Sequence, residues 1–259
     1  MKLRDLINYY EEVVPLNLQE AYDNCGLQFG DLEGDIKKII IALDLDKDTL
    51  NKAIEENYDL IITHHPVIFK PLKNISYDNS IKDRLIKAVK NDISIYSSHT
   101  NLDKIKGGVS YGLGERLGLR NLKTLDPEDD YGNGIGCYGY VDRIVAKSFI
   151  GQVKSNLNLD NVIAYGNLDR KIEKIALVGG SGGSLIQECI NQNCDVLISS
   201  EFDHDKQILA VDNDLILLDI SHYDSEKFGL YKIKNILEEK FTDLDLKVNL
   251  INNNIRRTF

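Results

Sequence analysis

The chain has 259 residues, 42% of them hydrophobic and 28% charged, with a formal net charge of −10 at pH 7. This length allows a substantial core, either in one large α/β domain or in two smaller lobes. No apolar run reaches the roughly 18 residues of a membrane span, and the amphipathic start MKLRDLINYYEEVV is unlike a signal peptide, so we expect a cytoplasmic protein without a membrane partner. The negative charge also disfavours nucleic acid, whose non-specific binding depends on Lys and Arg neutralising phosphates.

Strand and helix patterns alternate along the first part of the chain. β-branched runs that end in polar residues predict strands, and apolar residues at helical spacing predict the helices between them. This alternation is typical of βαβ units that build a largely parallel, buried sheet. The predicted elements are strands at 37–45, 59–65 and 93–100 and helices at 48–58, 80–92 and 107–119.

The middle of the chain has a different composition. Residues 126–142 are rich in Gly, Asp and Tyr, and the alternation in IGCYGYV predicts an antiparallel strand or hairpin. After Lys174 the alternation of strands and helices resumes. We therefore predict a first α/β half at 1–122 and a second at 123–259, with the C-terminal helix packing back on the first half.

Two segments of the first half can be aligned with segments of the second, which indicates an internal duplication. Residues 38–65 align without gaps on 174–201, and residues 93–103 align on 216–226. The second alignment matches a His at a strand end and a carboxylate four residues later. The predicted fold is α/β, with two similar lobes related by a pseudo-twofold axis, mixed and mostly parallel sheets, and a cleft between the lobes. Ligands of open α/β sheets bind at the carboxyl ends of strands.

The chain's five histidines all follow predicted strands. Local solvation of a strand end would explain any one of them, but it explains the five together poorly. Neutral imidazole suits zinc, iron, manganese and similar ions, and a carboxylate can bridge two of them. Five ligands exceed the three of a common catalytic zinc site, so we predict two divalent ions with a bridging hydroxide that forms near neutral pH. The predicted ligands are His64, His65, Asp103, His222 and Glu226.

Further polar groups have predicted roles beside the ions. His99 would orient a ligand or act as a general acid or base, and Glu226 would also act in catalysis. His204 would contact the substrate. In the glycine turn LVGGSGGSLI (177–186), Gly180 and Gly182 would present N–H groups to an anionic substrate, although a tight turn without a ligand fits equally well. The four cysteines form no CxxC pair and are predicted to be buried thiols.

Five further motifs stand out in the chain: DNCGLQFGD (23–31), DLIITHHPVIF (59–69), SSHTNLD (97–103), ALVGGSGGSLI (176–186) and ISHYDSE (220–226). Together they resemble the NIF-three family, whose members are often named GTP cyclohydrolase 1 type 2 homologues. The resemblance covers nearly the whole chain and implies two α/β lobes about a pseudo-dyad, a dinuclear metal centre and a ring-shaped homohexamer. The implied metal ligands are the five residues already selected.

The chain departs from the family pattern in two places. It has no room for the domain that longer relatives carry between their halves, so it resembles the short form. Ser200-Glu201 stands where many relatives have Gly-Asp, and Glu201 keeps a carboxylate with a longer reach. The function that the resemblance implies is hydrolytic attack by a metal-bridging hydroxide on a purine nucleotide or a related small molecule. The alternative is a non-catalytic, metal-binding hexamer that acts through protein interactions.

Overall fold

Residues 1–250 are described by a computed structural model, which shows an α/β protein with two mixed β-sheets, as predicted. The first structural unit consists of Met1–Leu102 and the segment that begins at Leu230, and the second is Asp103–Gly229. The predicted boundary near residue 123 therefore differs from the observed one. Residues 103–122 belong to the second unit because the helix Val109–Leu117 packs on that unit's sheet.

The first unit has a five-stranded sheet in the order β1-β4-β3-β2-β11. The strands β4, β3, β2 and β11 are parallel to one another, and β1 pairs antiparallel with β4. The strand β11 has no counterpart in the sequence-based prediction. The elements are α1 (Leu3–Val13), a 3-10 helix (Leu16–Leu18), β1 (Gly26–Phe29), β2 (Lys38–Ala42), α2 (Lys47–Glu55), β3 (Leu60–Thr63), α3 (Ser80–Lys90), β4 (Ser94–Ser97), α10 (Leu230–Lys240) and β11 (Asp245–Val248).

The central strands of this sheet are buried on both faces, which explains their nearly continuous apolar sequences. On one face, Ile40, Ile61 and Ile95 pack in a core with buried residues of α2 and α3. Both helices begin at side-chain caps, because Asp46 accepts from the N–H of Thr49 and Asn79 accepts from two N–H groups of α3. The helix α10 contacts β2, β11 and α1, so the C-terminal helix packs in the first unit.

The second unit has a six-stranded sheet in the order β5-β6-β8-β9-β10-β7. The strands β8, β9 and β10 are parallel, and the remaining pairs are antiparallel. The short helix α4 (Thr100–Lys104) contains the boundary between the units. The other elements are α5 (Val109–Leu117), β5 (Arg120–Pro127), β6 (Gly134–Val145), α6 (Ala146–Leu157), β7 (Ile163–Tyr165), β8 (Lys171–Ser181), a 3-10 helix (Gly183–Leu185), α7 (Ile186–Asn191), β9 (Val196–Ser200), α8 (His204–Asp212), β10 (Ile216–Asp219) and α9 (His222–Glu226).

The topology of the two sheets supports the predicted duplication. In each, an antiparallel edge strand is followed by three parallel strands in reverse chain order: β1-β4-β3-β2 in one and β7-β10-β9-β8 in the other. The carboxylate of Asp59 accepts from the N–H groups of Lys37 and Lys38, each at 2.8 Å. In the second unit, Asp195 accepts from Glu173 and Lys174 at 2.8 and 2.9 Å.

The strand register confirms the first alignment and corrects the second. Ile39 pairs with Leu60 and Ile175 pairs with Val196, as the alignment of 38–65 on 174–201 requires. In the neighbouring pairs, however, Leu60 faces Ser94 and Val196 faces Ile216. The alignment of 93–103 on 216–226 is therefore wrong by one residue. The residue equivalent to His222 is Thr100, which begins α4 as His222 begins α9.

Within residues 1–250, every helix is too short or too polar to cross a bilayer.

Candidate metal centre

The first cluster of histidines lies where the parallel strands of the first unit end. His64 and His65 follow β3, and their N–H groups donate to the carbonyl oxygens of Ala42 and Leu43 at 3.0 and 2.9 Å. The parallel pairing thus continues beyond the strand and brings Asp44 beside His65. The N–H of Ser98 likewise donates to the carbonyl of Thr63, which places the backbone of Ser98 beside His64.

Each imidazole of this cluster uses its Nδ1 atom in a hydrogen bond within the first unit. The Nδ1 of His64 lies 2.8 Å from the carbonyl oxygen of Ser98. The Nδ1 of His65 is 2.9 Å from Asp44 Oδ1, and that of His99 is 2.9 Å from Asp23 Oδ1. A carbonyl and an ionised carboxylate only accept, so each Nδ1 donates here, and in the neutral form of each ring Nε2 then has the lone pair. This is the tautomer that a carboxylate or carbonyl oxygen at Nδ1 selects in metal-binding histidines.

The three rings lie close together. The centroids of His64 and His65 are 5.1 Å apart, and His99 lies 5.1 and 5.3 Å from them. One ring nitrogen from each falls within 4.8 Å of the other two, so the three could hold a metal ion. Because β3 ends at Thr63, His64 and His65 lie beyond the strand, and the alternation of side chains along an extended strand does not apply to them. The structure also adds His99, predicted only as an orienting or proton-transfer residue, to the ligand-capable group.

Asp23 holds His99 through a network that sequence analysis missed. Besides His99, its carboxylate accepts from the N–H and hydroxyl of Thr100, the N–H of Asn24 and the thiol of Cys25. Burial alone would raise the pKa of Asp23, but the hydrogen bonds from His99 and Thr100 outweigh it and leave that pKa below its usual value. Burial also raises the pKa of the Cys25 thiol to about 12, which keeps it neutral and able to donate.

In the second unit, His222 and Glu226 lie on one face of the short helix α9. The hydroxyl of Ser221 caps this helix by accepting from the N–H of Asp224 at 3.0 Å. Because residues four apart share a helix face, His222 Nε2 comes within 3.2 Å of Glu226 Oε1. The Glu226 side chain is only 4% exposed, whereas that of His222 is 36% exposed. A buried carboxylate beside an accessible imidazole is a donor pair suited to a divalent cation.

The backbone of Gly180 lies directly against the side chains of His222 and Glu226. Its φ of +66° is the left-handed conformation that favours glycine. A Cβ atom at this position would lie 2.6 Å from Glu226 Oε1 and 3.2 Å from His222 Nε2. The two ligand-type atoms therefore occupy space that only a glycine leaves open. This close fit, together with the imidazole and carboxylate donors, is compatible with a bound divalent ion.

The remaining predicted site residues lie outside the two clusters or use their polar groups within the fold. The N–H of Gly180, predicted to meet a substrate anion, instead donates to Ser225 Oγ at 2.9 Å. Gly182 precedes the 3-10 helix, and its carbonyl accepts from the N–H of Leu185. His204 is exposed at the first position of α8. Asp103 lies in α4 and is half-buried.

The α/β sheets and the imidazole cluster at the strand ends define the class: an α/β protein with a histidine-rich candidate metal centre. The family model Duf34/NIF3 (NGG1p interacting factor 3) matches residues 1–257. The chain belongs to this family.

Individual relatives agree with the family match. The chain is 35% identical over 242 residues to a Clostridium perfringens protein named GTP cyclohydrolase 1 type 2 homolog, covering 93% of this chain and 92% of the relative. The crystal structure of the Staphylococcus aureus protein SA1388 superposes with a TM-score of 0.93 at 26% identity, covering 100% and 99% of the two chains. Reduced HcgD from Methanocaldococcus jannaschii gives 0.79 at 34% identity, with coverage of 96% and 97%.

Proposed function

We propose that this protein is a metal-dependent hydrolase of the GTP cyclohydrolase 1 type 2 kind, acting with two divalent ions such as zinc, iron or manganese. The observation that carries the proposal is the group of three imidazoles whose Nδ1 atoms are engaged by oxygen acceptors. The proposed ligands are His64, His65, Asp103, His222 and Glu226.

The donor set fits such ions, because it combines neutral imidazole nitrogens with carboxylate oxygens. Bound divalent ions of this kind lower the pKa of water and supply hydroxide near neutral pH. Asp44 and the carbonyl of Ser98 hold the rings of His65 and His64 in the tautomer that presents Nε2. That support reduces the reorganisation needed when the site is filled.

His99 and Glu226 are the proposed catalytic groups. Asp23 holds the proton on Nδ1 of His99, so this ring can accept or donate a proton at Nε2. Glu226 is buried, and its carboxylate lies beside His222 Nε2. We assign His99 to general acid–base work on the substrate and Glu226 to metal binding and to accepting a proton from water.

The proposed substrate is a purine nucleotide or a related small molecule, since the Clostridium perfringens relative is named for a GTP cyclohydrolase. His204 and Gly182 are proposed substrate contacts, whereas the N–H of Gly180 is already used by Ser225. The proposed working assembly is a homohexamer, and the proposed location is the cytoplasm.

The test is a metal analysis of the purified protein combined with chromatography of GTP incubated with the metal-loaded protein. We expect about two ions per chain and a ring-opened product. Glu226→Gln should remove turnover, and the surface variant Glu238→Gln on α10 is the matched control. Intact GTP and other purine nucleotides after incubation with the loaded wild type would overturn the catalytic proposal.

A second function is favoured by the family's description as an interacting factor. In this alternative, the protein is a metal-binding assembly that acts on partners without catalysis. It predicts tight metal binding and a hexamer without turnover of any nucleotide. Pull-downs that lose their partner when a chelator removes the ions would support it, and retention of the partner under chelation would exclude it.

A further inference from the structure

Glu201 has a backbone conformation that is unusual for its residue type. It directly follows β9 and has a φ of +58°. Asn and Asp tolerate this left-handed region because their short side chains bond locally, whereas a longer side chain gains no such compensation. Within residues 1–250, Glu201 is the one non-glycine residue with positive φ that is neither Asn nor Asp. The others are Asn57, Asp92, Asn121, Asn158, Asn193 and Asp214.

The neighbouring residues hold Glu201 in this strained conformation. The hydroxyls of Ser199 and Ser200 both donate to the carbonyl oxygen of Gly180, at 2.8 and 2.7 Å. Ser200 also pairs with Ser181 across the strands. The end of β9 is thus fixed against the glycine turn that lies under His222. Strained residues that the surroundings hold in this way are concentrated at functional sites.

The strained backbone places the Glu201 side chain beside His222. Its Oε1 atom lies 3.3 Å from Nδ1 of His222, while Nε2 of the same ring faces Glu226. His222 therefore stands between two carboxylates, one on each ring nitrogen. The carboxylate at Nδ1 matches those of His65 and His99, whose Nδ1 atoms face Asp44 and Asp23.

We infer that Glu201 is a positioning residue for His222. The carboxylates of Glu201 and Glu226 compete for the proton of the neutral ring, and Glu201 favours the tautomer with the proton on Nδ1, whose Nε2 lone pair can bind a divalent cation. The inference rests on the proposed function, because it takes His222 as a metal ligand. The Glu201 side chain is 62% exposed, so water competes for the same proton, and we expect an effect near the lower end of the 10- to 100-fold range of such partners.

The test compares Glu201→Gly and Glu201→Gln with the wild type. Zinc affinity is measured by competition with a chelator, and the His222 tautomer by nitrogen NMR of the metal-free protein at a pH where the ring is neutral. Glu201→Gly should weaken zinc binding about 10-fold and raise Tm by about 2–6 °C because the strain is relieved. Glu201→Gln keeps an oxygen acceptor and should have an intermediate affinity at unchanged Tm.

Asp214→Gly is the matched control, because Asp214 has the same φ of +58° and lies beyond α8, before β10. It should leave zinc affinity and the His222 tautomer unchanged. Wild-type affinity and a wild-type tautomer in Glu201→Gly would overturn the inference while leaving the proposed function intact. If the wild type binds no zinc, the proposed function fails, and the tautomer in the metal-free protein still decides the role of Glu201.

Discussion

Replacing Gly180 with alanine tests how closely the His–Glu pair of the second unit is fitted. Two costs can be separated. The first is the left-handed backbone at φ +66°, which costs an alanine about 1–2 kcal/mol. The second is the contact of the new Cβ with Glu226 Oε1 at 2.6 Å. That oxygen would have to retreat by about 1 Å to reach an ordinary van der Waals separation.

The matched control is Gly118→Ala at the end of α5. Gly118 has a φ of +75°, and a Cβ atom there would meet nothing within 4 Å, so this variant carries only the backbone cost. Displacing the buried Glu226 carboxylate adds about 1–2 kcal/mol. We therefore expect a loss of about 2–4 kcal/mol for Gly180→Ala and about 1–2 kcal/mol for Gly118→Ala.

Urea denaturation of the metal-free proteins measures these losses, and chelator competition measures metal binding. Metal–ligand distances tolerate only about 0.2 Å, so Gly180→Ala should lower metal affinity at least about 10-fold, whereas Gly118→Ala should not change it. Equal losses of stability in the two variants, or wild-type metal affinity in Gly180→Ala, would refute the reasoning.

Three further predictions concern hydrogen-bonding groups that support the two sheets and the candidate metal centre. Ser225→Ala removes the acceptor of the Gly180 N–H and should lower the free energy of unfolding by about 1–3 kcal/mol in urea titrations. Asp195→Asn should be more destabilising than Asp59→Asn, by about 1–2 kcal/mol in the same assay, because Asp195 also binds a guanidinium at 2.9 Å. Asp44→Ala removes the carboxylate at Nδ1 of His65 and should reduce metal affinity about 10-fold; since Asp44 is 47% exposed, Tm should change little.

The sequence was sufficient to predict the repeated strands and the polar residues at the ends of these strands. The apolar runs predicted the parallel strands because both faces of those strands are buried. The duplication was visible in residues 38–65 because strands and polar ends recur there in the same order. The strand β11 was missed because its alternating burial in a short DLKV segment gives a weak signal.

The finer geometry of the site depends on contacts that are distant in sequence. Asp23 reaches His99 from 76 residues away, and no local pattern marks that pairing. Asp44 was detectable in principle, because it follows β2 at the same sheet edge as His65. The alignment of His99 with His222 failed because a single-residue shift preserves the apolar character of a strand but changes which residues correspond.

The return of the chain to the first unit at Leu230 has a consequence for synthesis on the ribosome. Within residues 1–250 the second unit is one continuous segment, Asp103–Gly229, so all its strands are available before α10 emerges. The first unit receives β11 last, and until then β2 is an edge strand with unpaired N–H and carbonyl groups. Pairing between residues about 200 apart is slow to form. The nascent chain therefore carries an open sheet edge for most of its synthesis, and a chaperone that binds extended segments would have its target there.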